Sequence, residues 1–449
     1  MERAKLIVKN FGPLKDIEIE VREMVTFIGA QASGKSTLAK LLSILENEEF
    51  RRNNKIKFDD ELKKYNIFSY VSEKSIILYK TFDPKSSYPN ISSFNFNFSE
   101  GKSEKNSPLI NFNVFKEYNA VKKPEDTEDL QKSISTGIYL DLSVYSLLNN
   151  EKIYEIFNTE EQKVKFEIIF ANIRNGKRFL QQEDIKSILE IQEKELNLEN
   201  YINLYEKLIE LFPFIYLDDS IYIPAERSFL HLISENALGL INNNIQIPKH
   251  LLEIGQEYEK AIQTIKELPL NIINKNFKYK REGKTSYIYH NESERVDLLE
   301  SASGLQSIIP ILLLVEYSKS LKEKYNFNFV VEEPELNLYP KAQHELIKYL
   351  VKNCLFDRKN LILTTHSPFV LASINNLLLA FDKGKTKPTE VNKIIKKESW
   401  LDPKNFIAYE LKNGKAKKIM NDKLGQIQEN MIDNVSDAFS DEFDKLLDL

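Results

Sequence analysis

The chain has 449 residues, 42% of them hydrophobic and 29% charged, enough for both a sizeable core and a solvated surface. Lys and Arg total 62 against 67 Asp and Glu, a net charge of -5, which excludes a globally basic coat for nucleic acid but not a local basic patch. One cysteine, Cys354, excludes an intrachain disulfide; apolar runs such as residues 311–315 fall short of the roughly 18 residues of a membrane span; and the start MERAKLIVKN has no signal-peptide core, so a cytoplasmic protein is expected.

Residues 5–9 alternate around Leu6 and Val8, turn at Phe11-Gly12-Pro13, and alternate again over 17–21, predicting two strands. Residues 24–28 form a compact apolar strand that stops at Gly29. Leu38, Leu41, Leu42 and Leu45 follow at helical spacing, so the order is strand, glycine loop, helix. Phe94, Phe96 and Phe98 then alternate with Asn and Ser, a polar turn covers 99–107, and Ile110, Phe112 and Val114 alternate in their turn. This predicts a hairpin with one buried face; base stacking is the rival use of such a stripe, but no Lys or Arg alternates with these aromatics. Residues 121–212 become charged and mostly helical, the pattern of an inserted helical arm with solvated faces.

A strand signal returns at 220–223 and ends in Pro224-Ala225-Glu226-Arg227. A helix is predicted over 250–268 and a hairpin over 277–289, turning at Glu282-Gly283. From Ser301 come helix, strand (327–331), helix (341–353), strand (360–364) and a shorter helix after Pro368, the alternation of a parallel α/β sheet. A small hairpin around Asn413-Gly414 and an acidic helix follow.

Residues 29–36 read GAQASGKS and fit G-x-x-x-x-G-K-[ST]. Gly29 and Gly34 let the backbone curl so that successive N–H groups face phosphate oxygens, Lys35 reaches the β- and γ-phosphates, and the Ser36 hydroxyl ligates Mg2+. The expected nucleotide cradle is thus Gly29, Ala30, Gln31, Ala32, Ser33, Gly34, Lys35, Ser36 and Thr37. Residues 327–335, FNFVVEEPE, end an apolar strand in two acids. Neighbours on a strand face opposite ways, which assigns Glu332 to Mg2+ and Glu333 to general-base work. Residues 301–307, SASGLQS, place Ser303 and Gly304 at a helix N-terminus, an anion site; the plainer reading of Ser303 is a helix cap. Residues 361–369, LILTTHSPF, deliver His366 to the end of a strand as a donor or switch group. P-loop, acid pair and histidine all fall at the C-terminal ends of strands, where open α/β sheets bind ligands.

These four motifs together resemble the ABC-type ATPase heads of the SMC and OLD families, in the branch with an insertion between the P-loop and the later motifs. The resemblance implies an α/β P-loop head: a mixed sheet with flanking helices and an antiparallel β subdomain, carrying an inserted helical arm. Residues 1–120 would form an N-terminal lobe with Walker A, 121–212 the insertion, and 213–449 a C-terminal lobe with the remaining motifs. Glu332 and Glu333 match Walker B, with Glu333 catalytic; Ser303, Gly304 and Gln306 match the nucleotide-contacting signature; Asn337 and Leu338 match the D-loop; and His366 matches the catalytic switch histidine. Glu332 stands for the usual Asp, as in an EEPE subgroup, Leu305 stands for the second signature glycine, and no glutamine matches the Q-loop. Arg227, in the stretch IPAERS, is expected to face nucleotide or partner.

A zinc-hook C-x-x-C is missing, no D-x-D pair of a TOPRIM domain follows His366, and a transporter ATPase would lack the insertion. What remains is similar to stand-alone AAA15-type ATPase subunits of bacterial anti-phage systems of the PARIS and Septu type. That resemblance implies ATP and Mg2+ as cofactors, a homo-oligomer built from head-to-head dimers, a separate effector protein such as a nuclease, and no membrane partner; nucleic acid stays open as a further partner. The rivals are an SMC- or RecF-like DNA repair or maintenance ATPase and a nucleotide-bound assembly platform without turnover. Glu333 and His366 speak against the platform.

Overall fold

The computed structural model describes residues 3–47, 50, 56–81, 92–97, 102–106, 164, 220–233, 247–321, 328–355 and 360–448. β1 (Ala4–Phe11) and β2 (Leu14–Val21) pair antiparallel with Leu6 opposite Ile19 and Val8 opposite Ile17, so the alternation buries one face. β3 (Met24–Gly29) is buried at every residue, as a strand covered on both faces must be, and leads into α1 (Lys35–Glu46). After α2 (Phe58–Lys64), β4 (Ile76–Thr81), β5 (Ser92–Asn97) and β6 (Lys102–Asn106) add antiparallel strands outward from β1.

The partner of β5 is therefore residues 102–106, inside the stretch expected to be a polar turn. Its sequence, KSEKN, suits an outermost strand, where charged side chains deter further pairing, and such a strand carries no hydrophobic alternation to read. Phe96 of β5 is buried as expected; residues 110–114 lie outside the described residues, as does the expected helical arm apart from Val164.

β7 (Ser220–Ile223) closes the other side of the sheet. α3 (Lys249–Thr264) stops short of the expected 268, because β8 (Glu267–Pro269) pairs with β9 (Lys278–Glu282). With β10 (Thr285–Tyr289) and β11 (Arg295–Asp297) these make a separate four-stranded antiparallel sheet. α4 (Ser303–Ser320), β12 (Asn328–Glu332), α5 (Pro340–Cys354), β13 (Asn360–Thr365) and α6 (Pro368–Gly384) follow. The helix after Pro368 is not shorter: it has 17 residues against 15 in α5, because Leu377 and Leu378 carry its buried face past Asn375 and Asn376.

α7 (Pro388–Ile394) leads to β14 (Phe406–Lys412) and β15 (Lys415–Lys418), then to the short pair β16 (Met420–Asn421) and β17 (Gln426–Ile427) and to α8 (Met431–Leu447). The hairpin at Asn413-Gly414 is not an appendage: β14 lies parallel beside β3, with Ile407 opposite Val25, and β15 reaches β2. Among the described residues the main sheet has 11 strands in the order β6-β5-β4-β1-β2-β15-β14-β3-β13-β12-β7. Its β14, β3, β13, β12 and β7 all run parallel. The acidic α8 is fastened at its base by a capping box between Asn430 and Asp433 and exposes Val435, Phe439 and Phe443. No described helix is long and apolar enough to cross a membrane.

Candidate active site

Because β3, β13, β12 and β7 are neighbours and parallel, the segments that follow Gly29, Thr365, Glu332 and Ile223 emerge on one rim. On the first, Ala32 (φ 59) and Gly34 (φ 99) take left-handed backbone and curl the loop into the start of α1. A Cβ on Gly34 would sit 2.6 Å from Leu14 Cδ2, and one on Gly29 would sit 2.7 Å from the Leu411 carbonyl oxygen of β14. Lys35 Nζ donates to the carbonyls of Gly29 (2.8 Å) and Ala30 (3.0 Å), so the buried ammonium braces the curl from inside. Burial lowers its pKa, against the pull of Glu333, Glu335 and Glu332. Ala30, Gln31, Ala32 and Ser36 are exposed along the loop; Thr37 turns inward, and Ser33 Oγ is buried with no hydrogen-bond partner.

Glu332 ends β12 with 4% of its surface exposed, and burial pushes its carboxyl pKa up against the favourable charge of Lys40 and the nearby Ser36 and Tyr222 hydroxyls. The proximity of Ser36 and Tyr222 does not amount to a full set of bonds, since Glu332 Oε1 and Tyr222 Oη are both buried without a partner in ordinary hydrogen-bond geometry among the described residues. An unpartnered buried carboxylate oxygen beside the exposed Ser36 hydroxyl fits a magnesium ion. Among the described residues no group of three or more His, Cys, Asp or Glu is arranged as a metal cage, and an ion that keeps waters and takes substrate phosphates does not need one.

Glu333 corrects the strand argument. It lies one residue past β12 in left-handed backbone (φ 42), so a turn and not strand alternation parts the two carboxylates. Its N–H donates to the Thr364 carbonyl (3.0 Å), and its Oε1 lies 2.9 Å from His366 Nε2. The third acid of the motif, to which sequence reasoning gave no role, secures the histidine: half-buried Glu335 accepts from Thr365 Oγ1 (2.7 Å) and from the His366 N–H (2.8 Å).

The N-cap of α4 is Ala302, so exposed Ser303 is the first helical residue and not the cap. Gly304 is a contact: a Cβ there would come within 2.7 Å of the Asn337 carbonyl oxygen, and Asn337 Nδ2 donates to Ser307 Oγ at 3.0 Å. Leu305 points into the core. Gln306 spends its amide on the Leu299 and Ser301 carbonyls, at 2.8 and 2.9 Å, and so fastens its own turn. Arg227 does not face outward either. It is fully buried, and its donors all go to main-chain carbonyls. Arg227 comes four residues after the end of β7, between Glu226 and Ser228, so its sequence context carries no sign of this burial.

The model of the AAA ATPase domain family matches residues 1–371. No curated protein matches. Among solved structures, the Smc head domain of Pyrococcus furiosus, with an extended coiled coil and bound to the C-terminal domain of ScpA, is 12% identical with a TM-score of 0.38, covering 93% of this chain and 96% of that one. The SMC head domain of Thermotoga maritima is 10% identical with a TM-score of 0.35, covering 93% and 98%. These likenesses are distant, and the site stands on its own residues.

Proposed function

The chain belongs to the AAA ATPase domain family, and on that premise we propose that it is an ATP-binding and ATP-hydrolysing switch subunit whose site is the rim formed by the P-loop, Glu332, Glu333 and His366. The observation that carries the reading is the convergence of a left-handed glycine loop, an unpartnered buried carboxylate and a Glu333–His366 pair at the ends of adjacent parallel strands. ATP would lie with its phosphates in the loop of residues 29–37, and Lys35 would exchange its carbonyl contacts for phosphate oxygens. Bound Mg2+, held by Ser36 and Glu332, would supply charge neutralisation. Glu333 would accept the proton of the attacking water, and His366 would hold that carboxylate in place.

Two copies would pair head to head, with Ser303 and Gly304 of each completing the nucleotide site of the other. The exposure of Ser303 at the start of α4 supports this. A separate effector, a nuclease by resemblance, and a role in anti-phage defence complete the reading. The test is phosphate release from ATP and Mg2+. Wild-type protein turns ATP over and Lys35→Ala, folded by circular dichroism, neither binds fluorescent ATP nor hydrolyses it. Wild-type affinity in that variant would remove the P-loop assignment.

A further inference from the structure

We propose that Arg227 is a positioning residue that fixes the backbone of Glu333 and ties it to α4, so that the water-activating carboxylate and the helix facing the second copy move as one unit. This rests on the ATPase reading and assigns that site its internal coupling. Arg227 has 0% of its surface exposed. Burial works against its charge while Glu335, Glu333, Glu332 and Glu226 favour it from a distance, and a buried guanidinium is expensive unless its donors are met. They are met by carbonyls from three segments: Nε donates to Ser307 (2.9 Å) on α4, Nη1 to Pro224 (3.2 Å) and Glu332 (2.7 Å), and Nη2 to Glu333 (2.8 Å).

The geometry is specific to the site. Glu333 is held on one side by its N–H on Thr364 and on the other at its carbonyl, by Arg227 (2.8 Å) together with the Leu336 N–H (3.1 Å), so the residue that aims its side chain at His366 is gripped at both ends. The same planar fork holds α4 at its fifth residue, where the turn that begins at Ser303 closes. A second residue from this segment grips the same turn. Pro310 has no N–H, so the Gln306 carbonyl four residues earlier lacks its helical donor. His231 Nε2 lies 2.9 Å from that oxygen and replaces the donor. A displacement of α4 by a docking copy is thus passed to Glu333 through one rigid side chain, without a change at the P-loop.

Arg227→Lys keeps the charge but loses the fork. In this variant, ATP affinity measured with fluorescent ATP and KM for hydrolysis stay within about three-fold of wild type, and kcat falls about 100-fold, the cost of misplacing a reacting group by about 1 Å. Arg227→Gln serves as the second variant if the lysine does not fold. The deciding readout is a double-mutant cycle: placed in a Glu333→Gln background, Arg227→Lys costs no further rate, because its whole effect passes through Glu333. A purely structural role would lower melting temperature and ATP binding together and would add its loss in both backgrounds. Equal losses in the two backgrounds, or wild-type kcat in Arg227→Lys, overturn the inference alone. A wild-type protein without ATP turnover overturns the ATPase reading and this coupling with it.

Discussion

Glu333 sits at φ 42, a left-handed conformation that costs a non-glycine residue on the order of 1 kcal/mol. Four contacts keep it there: its N–H on Thr364, its carbonyl on both Arg227 and the Leu336 N–H, and its carboxylate on His366. Glu333→Gln preserves the shape but removes the proposed proton acceptor. ATP binding is expected to persist while hydrolysis slows at least about 100-fold, read by single-turnover phosphate release. Turnover within a few-fold of wild type would move the base elsewhere. His231 offers a second residue-scale test. Its Nε2 must carry the proton, since the Gln306 carbonyl can only accept, and its Nδ1 then accepts from Tyr258 Oη at 2.8 Å. Burial pulls its pKa from 6.5 down to about 4, so the folded protein keeps it neutral. Above pH 6.5 both folded and unfolded forms are neutral there and no pH-dependent term arises. As pH falls from 6.5 towards 4 only the unfolded chain takes up this proton, and about 3 kcal/mol of stability is lost. Buried Glu332 and half-buried Glu335, whose pKa values are raised, act in the opposite sense, so the quantity to measure is the urea-derived stability difference between wild type and His231→Gln. It should shrink towards pH 4, and a difference independent of pH would contradict the neutral, buried imidazole.

At the scale of elements, the P-loop is braced by a strand more than 370 residues later in the chain: a Cβ on Gly29 would meet both Ser33 Oγ at 2.5 Å and the Leu411 backbone oxygen of β14 at 2.7 Å. Gly29→Ala is therefore expected to lower stability by about 1–3 kcal/mol in denaturant unfolding and to weaken ATP binding, because backbone and not a flexible side chain must yield. Unchanged stability would mean that β14 does not set the loop. The parts of the site that are continuous in sequence were legible: the glycine loop after an apolar strand, the acids at the end of residues 328–332, and His366 after residues 360–365. What was not legible depends on contacts between distant segments. β14 could be placed beside β3 only by the sheet itself; β6 has no apolar face to announce it; and Arg227 reads as a surface cation until its four carbonyl acceptors are seen. The left-handed turn at Glu333 has no glycine to mark it.

For the whole molecule, the proposed composite nucleotide site needs two copies. Each rim holds a P-loop, two acids and a histidine, while Ser303 and Gly304 stand at the start of a helix packed on Asn337. The most direct measurement is ATP turnover by Ser303→Arg, by Lys35→Ala and by an equimolar mixture of the two. Ser303→Arg would oppose the positive end of α4 and would obstruct the second head of the proposed dimer, yet would leave the P-loop of its own copy intact. The account predicts that Ser303→Arg binds ATP and does not hydrolyse it, that Lys35→Ala does neither, and that the mixture regains part of the activity, since one composite site then joins an intact P-loop to an intact signature. Full turnover by Ser303→Arg alone, or a mixture that recovers nothing, would contradict it.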